Sequence, residues 1–175
     1  INLALAGIAV GNVSLPVLSK AFKKKDNNKI LDIQNRSIEL SLIFSFPASA
    51  GLIIASEQIV NALFGYGSFS KDDMEMTALA LKYFGYGVPS FALIKILSNF
   101  FFARNNTKTP FYISSFVVLL NVSLSVSFFS QTGFIIIPIA TSLSTWFGVI
   151  IYFYILKKNK FILFNKPFLN NFLLV

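Results

Sequence analysis

Lys95 stands in the apolar run Met74 to Phe102, where hydrocarbon side chains are the rule, and Ser98 and Asn99 follow it at i+3 and i+4. On a helix those three share one face. A cation so placed has two readings. It faces a protein or water-filled cavity, where it would meet an anionic ligand. Otherwise it snorkels along its stem to the headgroups. Arg104 and Lys108 follow just past the run, in the connection to the next apolar block. Upstream, Gly85, Gly87 and Pro89 interrupt the run. Proline removes one helix hydrogen bond, so this is either an ordinary kink or a discontinuous helix acting as a hinge.

Other chemistry is thinly provided for. The 175 residues include no cysteine and no histidine, which removes thiol chemistry, disulfides and any histidine base. Glu57, Asp72, Asp73 and Glu75 fall at interfaces or helix starts, and no two carboxylates have an acid–base setting. No phosphate loop, dinucleotide fingerprint or metal-ligand spacing is present. An enzyme is therefore not expected, nor is a cofactor.

The elements that must position these residues are apolar blocks. Hydrophobic residues make up 55% of the chain and charged ones 13%, against roughly 25% charged in soluble domains. Five blocks are long enough, or nearly so, to cross a hydrocarbon core of ~30 Å: 1–18, 38–56, 74–102, 110–129 and 134–156. A sixth begins near 168–175. The expected fold is all-α, a polytopic membrane helix bundle of about five transmembrane helices plus the start of a sixth, forming one membrane domain over 1–175. Ile1 in place of methionine, and an end in mid-pattern, suggest a piece of a larger protein; no signal peptide is expected.

The net charge of +8 would suggest nucleic acid in a soluble protein. Here it sits in alternate connections. Those at 20–36, 104–108 and 157–166 hold twelve lysines and arginines, and the others hold only Lys71. That bias places the basic loops in the cytoplasm, so blocks one, three and five run outside to inside. The 20–36 loop could also hold a lipid headgroup or pyrophosphate. Ser70 to Asp73 forms a capping-box pattern opening block three. Thr109-Pro110 reads as a cap and first-turn proline for block four. Ile59, Val60, Leu63 and Phe64 suggest a short interfacial helix. The connection Ser130 to Gly133 is so short that blocks four and five must form an antiparallel hairpin. Gly7 and Gly11, the Thr141, Thr145 and Gly148 face, and the Ser114, Asn121 and Ser125 face read as helix-packing surfaces.

Four stretches, taken in order, resemble the MurJ (MviN) family of lipid II flippases, within the superfamily of multidrug, oligosaccharidyl-lipid and polysaccharide exporters. They are Gly11-Asn-Val-Ser-Leu-Pro-Val-Leu-Ser-Lys20, Leu63-Phe-Gly-Tyr-Gly-Ser-Phe-Ser70 with Asp73, Phe91-Ala-Leu-Ile-Lys-Ile-Leu97 and Phe102-Ala-Arg-Asn-Asn-Thr-Lys-Thr-Pro110. The resemblance implies about helices eight to twelve of a fourteen-helix bacterial inner-membrane protein. It also implies alternating access of two lobes to carry lipid-linked peptidoglycan precursor outward for cell-wall synthesis. The family's lysine falls on Lys95, and its inner-connection cations on Arg104 and Lys108. Asn106 departs from the pattern, which commonly has aspartate there. Substrate-binding residues would be Lys95, Asn99, Ser98, Arg104 and Lys108, with Gly85, Gly87 and Pro89 as hinge. The implied partners are a lipid-linked anionic substrate, membrane lipids and an N-terminal lobe of the same protein. Two rivals stay open. One is an exporter of another polyprenyl-linked oligosaccharide, or a drug antiporter, on the same fold. The other is a non-transporting membrane scaffold.

Overall fold

A computed structural model describes residues 2–66, 70–159 and 161. Every regular element among them is helical: α1 (Asn2–Lys23), α2 (Asn27–Ile54), α3 (Ser56–Phe64), α4 (Lys71–Phe102), α5 (Lys108–Thr132) and α6 (Ile136–Lys158), with a single 3-10 turn at Gly133–Ile135. Five of the six are long. At ~1.5 Å per residue, even α1 spans about 33 Å, enough for a hydrocarbon core of ~30 Å. Residues 67–69 of one family-like stretch, Lys160, Lys166 and the expected sixth span lie outside the described residues.

α4 is the central helix and packs against α1, α2, α3 and α6. Its inner half supplies the oily core, where Leu93, Ile96, Leu97, Phe100 and Phe101 meet Leu18, Ile38, Val149, Tyr152 and Leu156. α5 lies at the periphery: only Pro110 and Ile113 are buried, and Phe111, Phe116, Leu119, Val122 and Val126 are exposed. By length and composition two stretches pass as spans, Asn27–Ile54 and Lys108–Lys158, the second being α5 and α6 folded back on each other. Packed among four neighbours, α4 buries Ser90, Ser98 and Asn99, polar groups that a lipid-facing helix could not hold, while Lys82 and Lys95 are exposed.

Local signals explain the helix ends. Ser70 accepts from the Asp73 amide, and the Asp73 carboxylate accepts from the Ser70 amide and hydroxyl, so the expected capping box is in place. α1 closes with Lys25 at φ +54° and bonds from the Lys25 amide to the Phe22 carbonyl and from the Asp26 amide to the Ala21 carbonyl. α4 closes the same way, with Asn105 at φ +58° and bonds from the Asn105 amide to the Phe102 carbonyl and from the Asn106 amide to the Phe101 carbonyl. Both are Schellman closures. α3 occupies the expected short helix, with Val60 buried and Leu63 and Phe64 exposed.

Two expectations are corrected. The 20–36 stretch is not a loop: Lys20 and Lys23 belong to the end of α1, and α2 begins at Asn27, capped by Asp26. Lysine, asparagine and aspartate read as loop by composition, but a helix of 28 residues, about 42 Å, overshoots the hydrocarbon and needs a polar first turn. Nor does Thr109 cap α5. The helix starts at Lys108, and Asn106 serves it instead, its side-chain oxygen accepting from the Thr109 amide at 3.1 Å. Its side-chain nitrogen donates to the Thr109 hydroxyl at 3.0 Å. The Gly133 turn (φ +62°), with its amide bonded to the Phe129 carbonyl, makes the α5–α6 connection tighter than the four residues expected.

Candidate functional site

Lys95 is exposed on α4, at the contact with α1. A Cβ added to Gly11 would lie 3.0 Å from the Lys95 Cγ, so the glycine lets the lysine stem pass close over α1. Asn99, one turn on and 3% exposed, donates its amide to the Gly11 carbonyl at 2.7 Å. The Ser98 hydroxyl donates to the Lys95 carbonyl at 2.9 Å. The three residues do lie together, but in different employment. Asn99 joins two helices, Ser98 satisfies its own backbone, and the Lys95 ammonium has no ion-pair partner among the described residues.

Arg104 is engaged elsewhere. It donates to the Phe100 carbonyl at 2.7 Å and to the Phe161 carbonyl at 3.1 Å. Its guanidinium lies 4.4 Å from the Phe22 ring centre and 4.1 Å from that of Phe161. One side chain thus ties the end of α1, the end of α4 and the segment after α6. Burial draws its pKa down to about 10, which leaves it charged at neutral pH. This clamp also places the last turns of α1, α4 and α6 at one end of the bundle. Lys108 is exposed at the first position of α5, without a partner among the described residues. A cation at the positive end of a helix does not stabilise it, so Lys108 has no evident helix role.

The glycine–proline segment is continuous helix. Pro89 leaves the Gly85 carbonyl, four residues back, without its helix donor. Ser49 of α2 donates to that carbonyl at 2.7 Å. From α6, Ser142 donates to the Tyr83 carbonyl at 2.7 Å and Trp146 to the Tyr86 carbonyl at 3.0 Å. Ser90 donates to the Gly87 carbonyl at 2.7 Å and shares a 2.7 Å bond with Thr145. Small residues make the approach possible: a Cβ on Gly87 would lie 2.7 Å from the Ser142 hydroxyl. The proline segment is strapped on two sides by neighbouring helices.

The fold also holds what the sequence reading passed over. Ser37, Ser41, Ser45 and Ser49 recur every four residues along α2 and are all buried, together with Gln34. The spacing was visible; serines in an apolar block simply do not register as apolar periodicity. The expected small faces of α5 and α6 meet each other, with Asn121 donating to the Thr141 hydroxyl at 2.8 Å. A Cβ on Gly148 would lie 2.7 Å from Val117.

Long helices with apolar exposed flanks, cations gathered at one end and hydroxyl-to-carbonyl ties inside define a polytopic α-helical membrane protein. The chain belongs to the MurJ family, since the family model described as "Lipid II flippase MurJ" matches residues 1–174. It is 34% identical over 159 residues to the probable lipid II flippase MurJ of Rickettsia prowazekii, covering 90% of this chain and 31% of that protein. It is 36% identical over 151 residues to that of Rhizobium meliloti, covering 86% and 28%. With the lipid II flippase MurJ of Thermosipho africanus it is 30% identical over 170 residues, covering 97% and 35%. A solved lipid II flippase MurJ in an inward closed conformation superposes with a TM-score of 0.80 at 28% identity, covering 89% of this chain and 32% of that one. The chain therefore spans about a third of the length of the relatives it matches.

Proposed function

We propose that this chain is part of a bacterial inner-membrane flippase that moves lipid II from the cytoplasmic to the periplasmic leaflet, working as a transporter rather than an enzyme. Membership of the MurJ family supports the cargo. The observation that carries the site is Lys95, an exposed ammonium on the central helix whose two polar neighbours are already satisfied. A cation free of internal partners is available to the pyrophosphate of the cargo. Asn99 and Ser98 then hold the lysine face in register rather than touch substrate. Lys108, exposed at the same end as the other cations, meets the headgroup near the inner leaflet. Arg104, enclosed by two rings and two carbonyls, holds the gate region together.

The end of the bundle carrying Lys20, Lys23, Lys24, Lys25, Lys29, Arg104, Lys108, Lys157 and Lys158 is read as cytoplasmic, by the excess of positive charge on that side. Gly85, Gly87 and Pro89 are read as the hinge about which α4 moves, with the α2 and α6 side chains tied to it, when the lobes rock. Lys95→Gln in the full-length protein, at normal expression, should fail to support cell-wall growth, while Lys95→Arg retains it. Normal growth with the glutamine variant would leave Lys95 as a snorkelling residue. An exporter of another polyprenyl-linked oligosaccharide would instead show normal lipid II translocation in cells lacking the protein.

A further inference from the structure

Between α1 and α2 lies a groove of about 440 Å³. Its apolar walls are Val13 and Val17 from α1 and Ile33 and Leu40 from α2. Asp32 and Arg36, one helical turn apart and both exposed, also line it. They share a face of α2 at the favourable i, i+4 spacing. Even so, neither is ion-paired with the other or with any other side chain among the described residues. Ser37, only 5% exposed, lines the same groove, and its hydroxyl has no hydrogen-bond partner among the described residues. Three polar groups therefore border an apolar cleft with their bonding capacity unused.

Their depth is informative. Counting back from Ile54, a hydrocarbon core of ~30 Å ends about 20 residues earlier, near Asn35. Asp32 then lies on the headgroup side of the boundary, Arg36 and Ser37 at it, and Leu40 and Val13 below it. Passing inward, the order is anion, cation, hydroxyl donor, hydrocarbon. A phospholipid with an ethanolamine headgroup presents the complementary order: ammonium outermost, then phosphate, then ester oxygens, then acyl chain. We propose that the α1–α2 groove binds one such zwitterionic lipid, with its ammonium on Asp32, its phosphate on Arg36, an ester oxygen accepting from Ser37 and an acyl chain along Val13, Val17 and Leu40. Asp32 decides the class. An anionic glycerol headgroup would satisfy Arg36 but leave the carboxylate facing no cation, and a choline headgroup has no N–H to donate to it.

The test is native mass spectrometry of the purified full-length protein, titrated with phosphatidylethanolamine, phosphatidylcholine and phosphatidylglycerol of identical acyl chains. The wild type should retain phosphatidylethanolamine preferentially. Arg36→Gln should lose about tenfold in its uptake, the scale of one charge-assisted hydrogen bond. Asp32→Asn should abolish the preference over phosphatidylglycerol. The exchange Asp32→Arg with Arg36→Asp conserves net charge but reverses the order, and should lose the preference too. Thermal melts confirm that each variant is folded, and Arg36→Lys, which keeps the charge, should keep most of the binding. Equal uptake of the three lipids, a wild-type preference for phosphatidylglycerol, or unchanged uptake by Arg36→Gln would overturn the proposal. The readout is lipid retention, so it stands apart from whether lipid II proves to be the cargo.

Discussion

The side-chain amide of Asn99 reaches 2.7 Å across the α1–α4 contact to the backbone carbonyl of Gly11, directly beneath the stem of Lys95. The lysine's setting therefore depends on a glycine in another helix. Gly11→Ala should be tolerated after a shift of a few tenths of an ångström in the lysine stem, whereas Gly11→Leu should cost about 1–3 kcal/mol by forcing the helices apart. Asn99→Leu should cost about 1 kcal/mol, near the usual worth of one interhelical hydrogen bond in a bilayer. Reversible unfolding in mixed micelles measures all three.

Ser49 and Pro89 form a thermodynamic pair. With proline at 89 the Gly85 carbonyl relies on the Ser49 hydroxyl, so Ser49→Ala should cost about 1–2 kcal/mol. Pro89→Ala restores the backbone donor to that carbonyl. In that background Ser49→Ala should cost markedly less, giving a coupling of about 1 kcal/mol in a double-mutant cycle. Additive effects would show that the strap does not serve the proline.

Arg104 should not be replaceable by lysine. A lysine keeps the charge but cannot lie flat between Phe22 and Phe161 while donating to two carbonyls. Arg104→Lys should lower stability by about 1–2 kcal/mol, read from the same unfolding assay. A residue that only touched substrate would alter transport and leave the unfolding free energy unchanged.

Asn106 stands where the family pattern commonly has aspartate, and its oxygen caps α5. Asn106→Asp retains that acceptor and adds a negative charge at a helix N-terminus, so it should be neutral or stabilising by about 0.3–1 kcal/mol. Asn106→Ala should cost about 1 kcal/mol. The departure from the pattern thus preserves the cap, and Arg104 is held by aromatic rings and carbonyls.

Much of the architecture was legible because its signals are local. The capping box at Ser70 and Asp73 depends on residues three apart, and apolar blocks of membrane length admit few folds. The charge tally also survives redrawing of the helices, since Lys20 and Lys29 stay at the same end whether they sit in a loop or on helices. What escaped were relations between helices. Nothing in the local sequence says that Ser49 answers Pro89 from another helix, or that Arg104 packs against Phe22 and Phe161. Lys95 was found by its contrast with its neighbours. The glycine under it reads in sequence only as a generic packing residue, because the partner surface is 84 positions away.

The turn at Gly133 has a consequence for how the chain is made. It joins α5 and α6 with no charged residue from Ser130 to Gly133, so nothing strongly hydrated must be drawn across the bilayer ahead of them. The two helices can leave the biosynthetic channel together as one preformed hairpin, joined through the Asn121–Thr141 bond. Lengthening this turn with a few aspartates should therefore slow membrane insertion long before it alters the finished bundle.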